Sequence, residues 1–277
     1  MNLPTASNPA TVRTPAAAGR FYPAQPEELR RMINDLLDRI QPDGASVPKA
    51  IIAPHAGYLY SGPVAASAYA QLRPARQIIN RIILLGPSHA VAFNGLAASS
   101  ASFFATPLGL VPVDTETVHR LRLLPQVSLL DEAHADEHSL EVHLPFLQVV
   151  LDDFKIVPLL AGDVGEEEVA EVIEAMWAGP ETRFVISSDL SHYQDYRRAL
   201  ELDSATSRAI EGLRTEDIAA EQACGRTTVC GLLRFARRRG LRARTVDLRN
   251  SGDTAGPRGH VVGYGAFVFE ETAGQRP

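Results

Sequence analysis

Short, almost unbroken apolar runs alternate along the chain with segments whose apolar residues recur every three or four positions. Residues 50–53, 81–85, 155–160 and 183–187 read AIIA, RIILL, KIVPLL and RFVIS. Runs without polar alternation fit strands covered on both faces, as in a parallel or mostly parallel sheet. Residues 261–269 (VVGYGAFVF) are also strand-like, and Gly263 and Gly265 leave that backbone open to close approach. Between the runs lie helical patterns. Residues 27–40 (EELRRMINDLLDRI) form an amphipathic helix ended by Pro42, Asp43 and Gly44. Residues 63–72 start a helix with Pro63 at its first position. Residues 115–124, 166–177, 198–213 and 227–239 complete the set, the second of them with acids in its first turn, as the helix dipole favours. This alternation predicts a three-layer α/β/α sandwich with a mixed, mostly parallel central sheet. No composition break or internal repeat divides the chain, so one domain is expected over residues 1–277, with about 1–15 and 271–277 loosely ordered.

Composition narrows the functional classes. The chain has 277 residues, 45% apolar and 22% charged, which is ordinary globular usage. A net charge of −6 gives no electrostatic footprint for nucleic acid. The longest basic run, Arg237-Arg238-Arg239, suits the polar face and end of a helix. No stretch approaches the ~18 apolar residues of a membrane span, and the N-terminus lacks the basic and apolar regions of a secretory signal. Cys224 and Cys230 form no CxxC pair, so a reducing cytoplasm is the expected compartment.

Three of the eight histidines share one context. His55, His89 and His192 each lie just beyond a buried-type strand: AIIA-Pro-His, RIILL-Gly-Pro-Ser-His and RFVIS-Ser-Asp-Leu-Ser-His. Parallel strands place their carboxyl ends on one edge, where ligands bind in open α/β sheets. Imidazole is both a metal ligand and a base near neutral pH. The three together therefore read as a metal site, as a base with ligands, or as an anion pocket. A further cluster, His134, His138, Glu141 and His143, lacks the spacing of a zinc helix, because His138 and His143 are five apart. On a helix His138 and Glu141 would share a face, and the expected role is pocket support or substrate contact. A thiolate beside these imidazoles would be a soft metal ligand, but spacing does not choose between Cys224 and Cys230. Walker A and dinucleotide fingerprints are absent. Gly86-Pro87-Ser88-His89-Ala90 comes one residue short of a nucleophile elbow, and the residues after it start a helix poorly. Asn250-Ser251-Gly252-Asp253 follows a strand-like run and fits the same edge or simple turn chemistry.

Five blocks carry a resemblance: Pro54-His55-Ala56-Gly57-Tyr58, Gly86-Pro87-Ser88-His89, the stretch 137–145 (EHSLEVHLP), the stretch 187–192 (SSDLSH), and Ala223-Cys224-Gly225-Arg226. In this order they resemble the Memo family, whose prokaryotic members are known as AmmeMemoRadiSam system protein B. The resemblance runs from Ala18-Gly19-Arg20-Phe21-Tyr22 to Gly263-Tyr264-Gly265-Ala266. It implies a fold similar to class III extradiol dioxygenases. It also implies metal ligands at His55, His89 and Cys224 and an acid/base at His192. Fe(II) is the expected metal, with Cu or Zn as alternatives, and an AMMECR-type protein and a radical SAM protein are the implied partners. Cysteine in place of the dioxygenases' Glu donates more charge and is itself oxidisable, so ring cleavage does not follow from the fold.

The first expectation is a metal-dependent redox or oxygenase-like enzyme of unnamed substrate. His192 would move protons, steadied by Asp189, while Tyr58, Ser88, His138, Glu141 and His143 would shape the pocket. A second reading is a non-catalytic protein that binds a peptide, a partner or a metal in the same cleft. A third is a hydrolase using Ser88 or a zinc-bound water. Neither nucleic acid nor a membrane is expected as a partner.

Overall fold

A computed structural model describes residues 10–41 and 46–271. Among these described residues twelve strands run in chain order: β1 (Val12–Arg13), β2 (Ala50–Ala53), β3 (Arg81–Pro87), β4 (Leu96–Ala98), β5 (Phe103–Thr106), β6 (Gly109–Pro112), β7 (Val127–Leu129), β8 (Lys155–Ala161), β9 (Thr182–Ser187), β10 (His192–Gln194), β11 (Arg242–Asn250) and β12 (Val261–Glu270). The α-helices are α1 (Pro26–Leu37), α2 (Tyr58–Tyr69), α3 (Thr115–Leu121), α4 (Asp131–Ala135), α5 (Leu144–Val150), α6 (Glu166–Ala175), α7 (Tyr196–Glu211), α8 (Arg226–Arg239) and α9 (Ser251–Thr254).

The apolar runs pair side by side. β2, β9, β3 and β8 are mutually parallel and form the middle of a nine-stranded sheet. Almost every residue in them is buried, as their lack of polar alternation requires. β12 joins β2 antiparallel, β10 and β11 both pair with β12, and β4 and β7 extend the sheet beyond β8. Helices α1, α2 and α5 pack over one face, and α6 and α8 over the other. This is the expected three-layer α/β/α sandwich with a mixed sheet. β1, β5 and β6 form a separate three-stranded sheet.

A register shift between Thr245 and Asp247 flips β11 partway along its length. Thr245 therefore meets Ser207 of α7 on one face, and Asp247 meets Ser67 of α2 on the other.

Three expectations need correction. Residues 10–15, expected to be loosely ordered, are tied down by β1 and by buried Arg13; residues 1–9 and 272–277 lie outside the described residues. The helix expected to start at Pro63 starts at Tyr58, whose N–H is taken by the Phe21 carbonyl, so Pro63 sits inside it. The segment 134–143 is not one helix. It breaks after α4 and resumes as a single 3₁₀ turn, Glu141–His143, so His138 and Glu141 share no helix face.

Candidate metal centre

The parallel strands deliver their following residues to one edge, and three imidazoles meet there. His55 follows β2, His89 follows β3, and His138 comes in from the turn after α4. One donor nitrogen from each lies within 4.8 Å of the other two. Ring centroids stand 5.1 Å apart for His55 and His89, 5.5 Å for His55 and His138, and 4.9 Å for His89 and His138.

The hydrogen bonds fix which nitrogen each ring offers. Ser187 spends its one hydroxyl hydrogen on the Ser139 carbonyl at 2.7 Å. Its oxygen must then accept from His55 Nδ1–H at 2.6 Å, which leaves the His55 Nε2 lone pair free. Glu137 Oε1 accepts from Nδ1–H of His89 at 3.0 Å and of His138 at 3.2 Å, so those rings also present Nε2. The same carboxylate accepts the backbone N–H of His89, Ala90, His138 and Ser139. Burial pushes the Glu137 carboxyl up, but the donors from His138, His89 and the backbone outweigh it and hold it well below the usual carboxylate range. Burial and the neighbouring imidazoles hold His55 well below its ordinary value, so it stays neutral near neutral pH. Three imidazoles, each hydrogen-bonded through Nδ1 and each with one ring nitrogen within 4.8 Å of the others, could hold a metal ion.

Cys224 stands beside this group. Its Sγ lies 3.2 Å from His55 Nε2 and accepts the Asp189 N–H at 3.3 Å. Two donors at roughly 2.0 and 2.3 Å from one ion would be about 3.1–3.5 Å apart, so Cys224 and His55 are spaced as a donor pair, but the group of three with donor atoms within 4.8 Å is completed by His138 and not, as the resemblance implied, by Cys224. Without an ion, burial and the Asp189 carboxyl push the thiol up to about 12, and the S–H donates to the imidazole. The close approach depends on Gly225, where a Cβ would sit 2.4 Å from the Ser187 carbonyl oxygen. Cys230 is buried on the inner face of α8.

The other sequence-predicted residues divide between the centre and its supports. Asp189 is buried and accepts the His55 N–H at 2.8 Å; burial raises its pKa against that hydrogen bond and the charge of His192. His192 Nδ1–H donates to the Leu190 carbonyl at 2.8 Å, which leaves Nε2 available for a proton. The loop before it is clamped to β12 by paired bonds between Leu190, Ser191 and Gly263, and a Cβ at Gly263 would lie 2.0 Å from Asp203. Ser88 donates to the Val91 carbonyl, and the chain after it forms a loop and then β4, not the helix of a nucleophile elbow.

Glu141, His143 and Tyr58 have partners of their own, and His143 is still close enough to His55 and His138 for their charges to be felt. Glu141 takes Arg13, the Ala16 and Ala17 N–H groups and the Tyr22 hydroxyl. His143 bonds the Tyr69 hydroxyl at 2.7 Å, and the Tyr58 hydroxyl donates to the Val142 carbonyl at 2.5 Å. Asn250 caps α9, so the turn reading of that segment holds. A cavity of about 320 Å³ opens beside Cys224, walled in part by Ser88, Phe93, Asp163 and Thr227. Glu137 was not among the sequence-predicted site residues. Its only signal was an acid next to His138 in a segment already singled out.

Fold and site together define an α/β protein with an imidazole-rich candidate metal centre at the carboxyl edge of its parallel strands. The sequence profile of the Memo-like protein family matches residues 13–268, and the chain belongs to the Memo family. It is 36% identical over 270 residues to a MEMO1 family protein of Aquifex aeolicus, covering 93% of this chain and 99% of that one. A MEMO1 family protein of Archaeoglobus fulgidus is 37% identical over 270 residues, with the same coverage. One from Methanosarcina barkeri is 34% identical over 273 residues, covering 94% and 100%. No helix among the described residues is long and apolar enough to cross a membrane.

Proposed function

We propose that this Memo-family protein is a metal-dependent redox enzyme of the oxygenase-like kind. The observation that carries the reading is the set of three imidazoles, each hydrogen-bonded through Nδ1, with one ring nitrogen from each within 4.8 Å of the other two. His55, His89 and His138 would supply nitrogen, and Cys224 the sulfur donor beside His55. A nitrogen-and-thiolate set favours iron or copper over magnesium or calcium, with zinc also accommodated. When bound, iron or copper would supply one-electron exchange and a coordination position for a small reactant, whereas zinc would supply only the latter.

The chain's own residues do the rest. Glu137 orients two of the rings and raises their basicity. Asp189 fixes the backbone of His55. His192, with Nδ1 tied and Nε2 available, gives or takes the proton. The cavity beside Cys224 is where a small substrate would meet the centre. A reducing cytoplasm suits the two free thiols, and the AMMECR-type and radical SAM proteins implied by the family resemblance are the proposed partners.

The test is anaerobic loading with Fe(II), then oxygen uptake in the presence of a reductant. The expected result is uptake by the loaded protein, with full metal content but at least ~100-fold slower uptake in His192→Ala. Stoichiometric metal without uptake above free Fe(II) would overturn the enzyme reading in favour of a metal-binding protein.

A further inference from the structure

The arginines of α8 do not simply face solvent. Arg226, Arg234, Arg237 and Arg238 fall within about 120° of the helix circumference at 100° per residue, and all four line one wall of a groove of about 450 Å³. The opposite wall is the segment after α7, with Leu213 and Thr215 toward the groove. That segment is turned sharply by a helix-ending motif. The Leu213 N–H bonds the Ile210 carbonyl, the Arg214 N–H bonds the Ala209 carbonyl, and Leu213 takes the left-handed conformation at φ 53° that glycine usually fills.

Charge in the groove runs against the whole chain, which is net negative at −6. Two glutamates, Glu166 and Glu216, face the four arginines. Glu166 is shared between Arg226 and Arg234, each at 2.8 Å, and Arg238 pairs with Glu167. Arg226 also donates from Nε to the Ile218 carbonyl at 2.6 Å. These bonds hold three guanidinium groups in place, so little rotamer freedom remains to be lost on binding. Among the described residues, Arg237 has no acidic partner. A planar guanidinium fork matches phosphate oxygens in bidentate fashion, and the volume is that of a small-molecule site.

We propose that this groove binds a small polyanion carrying two linked phosphate groups, with Arg237 as its principal contact. The site is independent of the metal centre.

The probe is inorganic pyrophosphate, titrated calorimetrically into the full chain at about 0.15 M salt. The expected result is saturable 1:1 binding with Kd below about 1 mM. Monophosphate should bind at least ~10-fold more weakly, as should pyrophosphate to Arg237→Ala, and Arg237→Glu should abolish binding. Metal content and the unfolding midpoint of both variants should match the wild type, which separates loss of the site from loss of the fold. His89→Ala should bind pyrophosphate normally. ADP binding more tightly than pyrophosphate would identify a nucleotide as the source of the diphosphate, and equal affinity a free diphosphate. Absence of saturation up to about 10 mM, or undiminished affinity in Arg237→Glu, would overturn the proposal.

Discussion

Glu137 is the residue on which the centre's geometry converges. Its carboxylate fixes the tautomers of His89 and His138 and takes the backbone donors that shape the turns carrying them. Glu137→Gln keeps the shape but turns a hydrogen-bond donor toward donors. Metal affinity should fall about 10–100-fold, and the apoprotein should lose about 1–3 kcal/mol. Calorimetric Fe(II) titration and urea unfolding read the two effects separately; unchanged metal affinity would count against the carboxylate's role. At this scale the sequence showed half of the site. His55 and His89 were legible because each follows a buried strand, and strand ends gather on one edge. His138 was singled out only as pocket support or substrate contact and Glu137 not at all, because they come from a loop that reaches across 48 residues of sequence to His89, and nothing in local spacing encodes that crossing. Glu141, which looked like a pocket residue, serves instead to fasten Arg13 and Tyr22.

Among the elements, the junction between β9 and α8 matters most to the site. Gly225 lets the chain carrying Cys224 lie against the end of β9, and its N–H bonds Ser188 Oγ at 3.0 Å. A methyl group there meets the Ser187 carbonyl oxygen at 2.4 Å. Gly225→Ala should therefore push Cys224 away from His55 while leaving the three imidazoles in place. The expected outcome is loss of the thiolate-to-metal charge-transfer absorption of the Cu(II)-loaded protein, with metal still bound. An unchanged spectrum would show that the junction yields without moving the sulfur. The central strands were read from sequence almost to the residue, because a strand buried on both faces leaves an unbroken apolar run. Helix starts were less legible. The start of α2 is set by the carbonyl of Phe21, a tertiary partner, while the local signal at Pro63 pointed five residues too late. The β11 bulge and the three-stranded sheet arise from pairings between distant segments and leave no periodic trace.

For the whole molecule, the buried imidazoles couple stability to pH and to metal. Burial lowers His134 from 6.5 to about 4 and His143 to about 3. Between pH 6.5 and 4 the unfolded chain binds more protons at these positions than the folded chain does. Stability therefore falls as the pH drops through that window, by up to about 1.4 kcal/mol per pH unit for each imidazole. His55 acts with the same sign, while Asp189, raised by burial above its ordinary value, acts against them. The urea midpoint of the metal-free protein should be clearly lower at pH 5 than at pH 7.5, and an equal or higher midpoint would contradict the burial account. A bound ion should shift stability the other way. At one hundred times its Kd it adds about 2.7 kcal/mol, which for a chain of this size raises Tm by roughly 5–10 °C. The most direct test of the central claim is the metal content of anaerobically purified protein, read by elemental analysis and Fe(II) titration beside His55→Ala, His89→Ala and His138→Ala. The account predicts about one ion per chain in the wild type and loss of binding in each of the three variants. No metal at micromolar affinity in the wild type, or full occupancy in His138→Ala, would contradict it.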